Sequence, residues 1–283
     1  MKKADLHIHT NASGDALNIP EHVFKKAKEA GLAAVTFTDH DSTLHHQIGR
    51  ELSEKYGIAF LPGVEVSSCW DGRTAHVLAY FFESVGPSLR AFLDVRAREA
   101  ARDTAAWIIK RIQKMGIDVS LGEYDEVAKG CTSGDSPLLR LMIKKGYVKD
   151  IFDYKKKFQK ISFEPHTEFS PSMSEVIGEI HKAGGIAVLA HPAGRKEYFT
   201  YEFREDDIEK VIEAGIDGLE VYHRWNDDAK RKLYLELTQK HNLLATGGSD
   251  NHGSEVDTED NEIGSYWCDW EIVKDKFKQI KEI

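Results

Sequence analysis

Histidines and acidic residues stand at or just past the carboxyl ends of five predicted β-strands. In chain order they are His7 with His9, His40 between Asp39 and Asp41, Glu65, His191, and Asp250 with His252. The chain has 13 histidines against 3 cysteines, so imidazole and carboxylate are its candidate metal ligands, rather than thiolate. Such ligands bind Zn, Mn and Fe ions. Because the carboxyl ends of parallel strands share one edge of a sheet, we predict a single His/carboxylate cluster there.

His7 and His9 form the most compact of these groups. On a β-strand, residues i and i+2 face the same side, so both imidazoles can reach one ion. The alternative interpretation is a polar strand end in solvent. The coincidence of five such strand ends in one chain favours metal binding over that alternative.

Short apolar strands alternate with helical patterns at both ends of the chain. The predicted strands are residues 3–8, 33–38, 59–66, 75–82, 186–190, 217–222 and 243–246. Helices are predicted at residues 21–30, 42–56, 174–183, 206–214 and 227–241, and over the last twelve residues. Strands separated by helices are typical of βα units, which indicates an α/β fold with a parallel sheet.

The middle of the chain differs in character. Residues 86–165 show helical spacing without strong strands, with helices predicted at 89–115, 123–129, 137–145 and 149–157. We therefore predict a helical insertion that interrupts the α/β alternation.

Charge and composition limit the partners. The 283 residues include 38 Lys and Arg against 47 Asp and Glu, a net charge of −9, which disfavours long nucleic acid and anionic membranes as partners. We find no run of about 18 apolar residues that would span a membrane, and no signal peptide. Three widely spaced cysteines favour a reducing compartment. We expect a cytoplasmic protein; the sequence predicts no oligomeric state.

Five motifs resemble those of the PHP (polymerase and histidinol phosphatase) phosphoesterases. They are DLHIHT, TDHD, GVEVSS, LAHPAGR and GGSDNH, and they span residues 5 to 252 in the family's order. The resemblance implies a distorted (β/α)7 barrel, formed by residues 1–85 and 166–283, with a trinuclear metal centre. It also implies that the insertion, residues 86–165, caps the substrate. The insertion, LAHPAGR and GLEVY are most similar to the subgroup that acts on nucleoside 3′,5′-bisphosphates and short oligonucleotides.

The resemblance also implies a ligand set for two to three divalent ions (Mn, Zn or Fe). The first ion would bind His7, His9, Glu65 and Asp250; the second Glu65, His76 and His191; the third Asp15, His40 and His252. Asp15 stands six residues after His9, whereas the family commonly has an acidic residue at plus five. A structural, hydrogen-bonded histidine is the alternative for His76.

Residues around the ligands have predicted supporting roles. Metal-bound histidine usually hydrogen-bonds a carboxylate through its other nitrogen. The candidate carboxylates are Asp5, Asp39, Asp41 and Glu220, with strand-end caps as the alternative. The histidines predicted to lie on the surface are His22, His45, His46, His166, His181 and His241.

Substrate contacts are predicted from residue type and from the resemblance. A guanidinium suits bidentate phosphate recognition, so Arg140 in the insertion and Arg195 after LAHPAG are predicted phosphate ligands. An ordinary surface charge is the alternative for each. His223 and Asp41 are candidates for protonating the leaving oxygen. Trp225 is either a base-stacking residue or an ordinary strand-end aromatic.

The combined prediction is an enzyme, a metal-dependent phosphoesterase. A hydroxide bridging two ions would attack the 3′-phosphate of a nucleoside 3′,5′-bisphosphate, or a short oligonucleotide. Histidinol-phosphate phosphatase is an alternative with the same chemistry; the size of the insertion argues for a larger substrate. A non-catalytic metal-dependent binding module is an alternative of another class, and the complete set of nine ligands argues against it.

Overall fold

Eight strands form the centre of the molecule. The computed structural model describes residues 1–131, 136–162, 170–194, 200–253 and 261–281. The strands are β1 (Lys3–Asp5), β2 (Ala34–Phe37), β3 (Ala59–Trp70), β4 (Arg73–Tyr80), β5 (Ile186–Leu189), β6 (Gly218–Tyr222), β7 (Leu244–Gly247) and β8 (Cys268–Asp269). They belong to one sheet with the order β7-β6-β5-β4-β3-β2-β1-β8.

The sheet curves round until its two ends meet. Beyond β1, the Leu6 N–H donates to the Gly247 carbonyl (3.1 Å), and the His9 N–H donates to the Asn251 carbonyl (2.9 Å). β8 pairs with β1 in the antiparallel sense and also contacts β7. The result is a nearly closed barrel, in which first-strand and last-strand residues lie side by side.

β4 runs against the strands on both sides of it. It forms a hairpin with β3 and is antiparallel to β5 as well, whereas β1, β2, β3, β5, β6 and β7 pair in parallel. The hairpin turns at Asp71 (φ 46°) and Gly72 (φ 70°). Two successive positive φ angles favour Asp-Gly in a tight hairpin turn. The predicted parallel sheet is therefore present in six of the eight described strands, and β4 and β8 are antiparallel to their neighbours.

Helices cover the outside of the barrel. They are α1 (Pro20–Glu29), α2 (His46–Tyr56), α3 (Pro87–Phe92), α4 (Arg98–Gln113), α5 (Leu121–Ala128), α6 (Pro137–Lys144), α7 (Ile151–Ser162), α8 (Met173–Lys182), α9 (Glu205–Glu213), α10 (Asp228–Lys240) and α11 (Trp270–Lys281). Local sequence sets several starts: Pro20 occupies the first turn of α1, and Asp227 caps α10 through the Lys230 N–H. None of the described helices is both long and apolar enough to cross a bilayer.

The helices between β4 and β5 have a hydrophobic cluster of their own. It includes Ile108, Ile112, Leu138, Met142 and Phe158, all buried and all on α4, α6 and α7. α3 passes into α4 through a π-helical turn, Leu93–Ala97. This cluster accords with a helical insertion, although the exact domain bounds stay a prediction.

Candidate metal centre

The predicted ligands meet at the edge of the barrel where the parallel strands end. His7 and His9 follow β1, His191 follows β5 and Asp250 follows β7. His76 comes from the first half of β4, which reaches the same edge because β4 is antiparallel. The hairpin therefore supplies a ligand that a parallel strand could offer only from its carboxyl end.

Four ligand atoms gather most tightly around the first predicted ion position. One atom each from His7, His9, Glu65 and Asp250 lies within 4.8 Å of the other three. The two Nε2 atoms of His7 and His9 are 3.2 Å apart. Glu65 Oε2 lies 3.3 Å from the first and 3.1 Å from the second. All four residues are buried.

The other oxygen of Glu65 serves a second group. Oε1 lies 2.9 Å from His76 Nδ1 and 2.9 Å from His191 Nε2, and these two nitrogens are 3.3 Å apart. One carboxylate thus stands between the two sets of imidazoles that the family resemblance assigns to two ions.

The third predicted group is brought together more loosely. Asp15 Oδ1 lies 4.0 Å from His40 Nε2 and 3.7 Å from His252 Nε2. His9, His40 and His252 also form a set whose ligand atoms lie within 4.8 Å of one another. This position is the more exposed side of the cluster, since Asp15, His40 and His252 are only half-buried.

Carboxylates and a hydroxyl orient the imidazoles from behind. His7 Nδ1 lies 2.9 Å from Glu220 Oε1, while Glu220 Oε2 accepts the His191 backbone N–H at 2.7 Å. His9 Nδ1 lies 3.0 Å from Ser13 Oγ, whose hydroxyl donates to Asp39 Oδ1 at 3.0 Å. These contacts leave Nε2 of both histidines directed into the cluster, which is the supporting arrangement predicted for Glu220.

Asp5 and Asp41 orient backbone rather than rings. Asp5 accepts backbone N–H groups of His7 (3.3 Å), Ser249 (2.9 Å) and Gly264 (2.8 Å), so it fixes the end of β1 against the segment after β7. Asp41 accepts both the N–H (2.9 Å) and the hydroxyl (2.7 Å) of Ser67. The described contacts of Asp5 include no ring nitrogen, contrary to the predicted contact with the His7/His9 imidazoles.

Electrostatics keep the central carboxylates charged. Burial alone would raise the pKa of Glu65, but the imidazoles, above all His76, hold that pKa well below its usual range. Asp250 behaves in the same way, because the charge of His7 is the largest effect opposing burial. Burial lowers the pKa of His9, yet its hydrogen bonds to the carboxylates raise it to about 10. Protons on imidazole thus provide the positive charge that an ion would supply, so metal binding would release protons.

The donor set fits divalent ions of the Zn, Mn and Fe class. It combines buried imidazole nitrogens with carboxylate oxygens at distances that leave a shared central position. His40 Nδ1 is buried and has no hydrogen-bond partner in the described part of the chain. Burial lowers the pKa of His40 to about 3, so the ring is neutral and one of its two nitrogens keeps a lone pair for a ligand role.

Backbone conformation at the site is unusual. Asp41 (φ 49°), His191 (φ 28°) and Asp250 (φ 55°) are three of the five non-glycine residues with positive φ among those the structure describes. Such conformations are uncommon for residues with a Cβ atom and tend to cluster at functional sites. Here they turn the chain sharply as it leaves β2, β5 and β7.

His223 lies against the cluster. His223 is fully buried; its Nδ1 accepts the Trp225 N–H (3.2 Å), and its Nε2 lies 3.5 Å from Asp250 Oδ2. The Trp225 ring packs against the rings of His191 and His223. Arg140 is exposed on α6, and Arg195 lies outside the described residues.

Two histidines predicted to be on the surface have structural contacts. His46 is buried, and its Nε2 lies 2.7 Å from the Gly63 carbonyl. His45 Nδ1 lies 2.8 Å from Thr10 Oγ1, whose hydroxyl donates to Asp39 Oδ2 (2.7 Å). The surface prediction is wrong for His46. This residue lies on the face of α2 that also buries Gly49 and Leu52, and few apolar residues mark that face in the sequence. His166 lies outside the described residues.

Comparison with known proteins places the chain in a family. The PHP domain matches residues 5–239. The chain belongs to the PHP-domain family. This PHP protein is 28% identical over 255 residues to a phosphoribosyl 1,2-cyclic phosphate 1,2-diphosphodiesterase of Eggerthella lenta, covering 88% of this chain and 94% of the relative.

Two further relatives carry related names. A 3′,5′-nucleoside bisphosphate phosphatase of Chromobacterium violaceum is 31% identical over 266 residues, covering 89% of this chain and 88% of the relative. The 5′-3′ exoribonuclease Rnm of Escherichia coli is 29% identical over 254 residues, covering 88% of this chain and 84% of the relative.

A solved structure shares the fold. A Bifidobacterium adolescentis protein described as a metal-dependent phosphoesterase superposes with a TM-score of 0.74 at 24% identity, over 98% of this chain and 96% of the other. The predicted PHP membership and distorted PHP-type barrel are thus confirmed. The relatives, named as phosphatase and phosphodiesterase, confirm the predicted phosphoric ester hydrolase class. The roles of individual residues and the type and number of ions stay predictions.

Proposed function

We propose that this PHP protein removes the 3′-phosphate of a nucleoside 3′,5′-bisphosphate or hydrolyses a short oligonucleotide, using two to three bound Mn, Zn or Fe ions. The observation that carries the proposal is the position of Glu65. Its Oε2 faces His7 and His9, and its Oε1 faces His76 and His191. A carboxylate shared in this way suits two ions held side by side across a phosphate.

The protein's own groups position the reactants. Ions bound here would lower the pKa of a water molecule and neutralise negative charge on the phosphate. Glu220 and Ser13 keep His7 and His9 directed inward. Because His223 Nδ1 accepts a backbone N–H, a neutral His223 carries its proton on Nε2, beside Asp250. We propose that this N–H donates a hydrogen bond to the leaving oxygen or to a phosphate oxygen.

The substrate class is supported by the relatives and by the insertion. The three relatives are named for a nucleoside bisphosphate, a phosphoribosyl cyclic phosphate and RNA, all of which contain phosphorylated ribose. We propose residues 86–165 as the capping insertion, with Arg140 in it and Arg195 in the barrel as phosphate ligands. A small phosphorylated substrate also agrees with the net charge of −9, because a long polyanion would be repelled.

Two alternatives use the same cluster. Exonucleolytic trimming is favoured by the similarity to the exoribonuclease, and histidinol phosphate is a smaller monoester. Kinetics on adenosine 3′,5′-bisphosphate, a short RNA and histidinol phosphate, measured side by side, separate the three. We expect the highest kcat/KM on the bisphosphate.

Metal dependence is tested on the same protein. Exhaustive chelation should abolish phosphate release, and added Mn²⁺ should restore it. Asp250→Asn should remove most activity, whereas Asp228→Asn, an exposed carboxylate on α10, should not change it. Full activity after chelation would contradict the proposal.

A further inference from the structure

A small cleft lies beside the candidate metal centre, between the barrel and the first turns of α4. Its volume is about 170 Å³, and its lining includes Asp41, Ser67, Phe92, Ala100, Ala101 and Thr104. Among the residues that the structure describes, its lining includes no predicted metal ligand, and Arg140 is not part of it either. It is therefore distinct from the cluster, although the two are neighbours.

The lining of the cleft and the predicted metal ligands include directly neighbouring residues. Ser67 stands directly opposite His76 in the β3–β4 ladder, and directly opposite residues in a sheet present their side chains on the same face. The Asp41 N–H donates to the Glu65 carbonyl (3.0 Å). A molecule whose phosphate lies at the cluster can thus extend its organic part toward Ser67 and Asp41.

The chemistry of the lining excludes a second phosphate and favours a flat, neutral ring. Asp41 contributes a carboxylate to the lining, which would repel an anion. Each of its oxygens accepts one hydrogen bond from Ser67 and can accept another from an N–H group. Phe92 contributes an aromatic side chain, and Ala100 and Ala101 leave space beside it. For scale, a cavity of about 150 Å³ accommodates benzene.

Two backbone features accompany the cleft. Asp41 holds a positive φ of 49°, a conformation that is costly for a residue with a Cβ atom. The π-helical turn Leu93–Ala97 directly precedes α4 and contributes Leu93 to the lining, and π-bulges occur frequently at functional sites. Both irregularities shape the walls of this one cleft.

We propose that the cleft receives the nucleobase of the substrate, with the base against Phe92 and its N–H groups facing Asp41. This assignment rests on the proposed function. It predicts that the enzyme prefers a nucleoside bisphosphate to the same sugar bisphosphate without a base, because stacking on an aromatic side chain strengthens binding.

The test narrows the cleft and compares two substrates. Ala100→Leu and Ala101→Leu are assayed, metal-loaded, with adenosine 3′,5′-bisphosphate and with ribose 3,5-bisphosphate. We expect kcat/KM for the adenosine substrate to fall about tenfold, mainly through KM, the size of one base stack. Hydrolysis of the base-free substrate should not change. Ala91→Leu, the same substitution at an exposed position on α3, is the matched control.

Each other outcome has a definite meaning. An equal loss on both substrates, or no loss on either, would overturn the base assignment while leaving the proposed function intact. A wild-type protein that hydrolyses neither bisphosphate nor a short RNA would overturn the proposed function, and the base assignment with it.

Discussion

Glu220 is a single side chain that supports two ligand-bearing segments. Its two oxygens accept from the ring of His7 and from the backbone N–H of His191. Glu220→Gln keeps the shape but leaves one buried donor facing an NH₂ group. We expect a 10- to 100-fold loss of metal affinity, the usual effect at such positions. Titration with Mn²⁺ measures it.

A control substitution tests whether the loss of any carboxylate lowers the metal affinity. Glu209→Gln removes a carboxylate that pairs with Lys240 and His241 away from the cluster, and metal affinity should stay unchanged. Equal affinities of the wild type and Glu220→Gln would refute the orienting role of Glu220.

His46 gives a second prediction at the residue scale, on acid stability. Burial lowers its pKa from 6.5 to about 4, so the native protein keeps it neutral while the unfolded chain takes up a proton. Its contribution is therefore complete above pH 6.5 and decreases as the pH falls toward 4. When the pH falls from 7 to 5, the free energy of unfolding should decrease by about 2 kcal/mol because of His46 alone.

Urea unfolding in the presence of chelator measures the contribution. His46→Gln should lose less unfolding free energy than the wild type between the two pH values, by about that 2 kcal/mol. His22→Gln, at an exposed position on α1, should follow the wild type. Parallel pH curves for the wild type and His46→Gln would rule out this account.

At the element scale, the segments that follow β1 and β7 pack so closely that Gly248 has no space for a side chain. A Cβ atom at Gly248 would overlap the backbone nitrogen and Cβ of His7. Gly248→Ala should therefore displace the His7 ring, lowering both the melting temperature and the metal affinity. Differential scanning calorimetry and Mn²⁺ titration measure the two effects.

A glycine elsewhere provides the control for this packing argument. Gly178 lies inside α8, where a Cβ would meet nothing within 4 Å. Gly178→Ala should raise the unfolding free energy by up to about 1 kcal/mol, the helix preference for alanine. If Gly248→Ala leaves His7-dependent metal binding intact, the close approach of β1 and β7 is not needed at the site.

At the scale of the whole molecule, the candidate centre ties together both ends of the chain. His7, His191 and Asp250 follow the ends of β1, β5 and β7, and Glu65 lies within β3. Ions that bind only the folded state stabilise it by about 2.7 kcal/mol at 100 times the dissociation constant. For a protein of this size we expect Mn²⁺ to raise the melting temperature by about 5–10 °C over the chelated protein.

Asp250→Asn decides whether this stabilisation comes from the cluster. The variant should lose most of the Mn²⁺-dependent shift, measured against its own chelated melting temperature. A shift of the same size in Asp250→Asn would locate the stabilising ions elsewhere.

Much of the barrel was predictable, since local patterns carry it. The apolar runs 33–38 and 186–190 contain β2 and β5 almost to the residue, because buried parallel strands consist of continuous apolar sequence. The turn that reverses β4 is also a local signal, since Asp71-Gly72 is a sequence typical of a tight hairpin turn. β8 has only two residues, too few for any sequence pattern.

The sequence by itself determined the kind of chemistry: imidazole and carboxylate at strand ends, with the spacing of His7 and His9 already suited to one ion. Only the tertiary structure decided which groups meet. Glu220 contacts His7 across 213 residues, His76 reaches the site because β4 is reversed, and α4 completes a cleft beside Asp41. The physical reason is the distance along the chain over which each interaction acts. Spacing along a strand fixes the relation of residues two positions apart, whereas barrel closure and helix packing depend on contacts throughout the core.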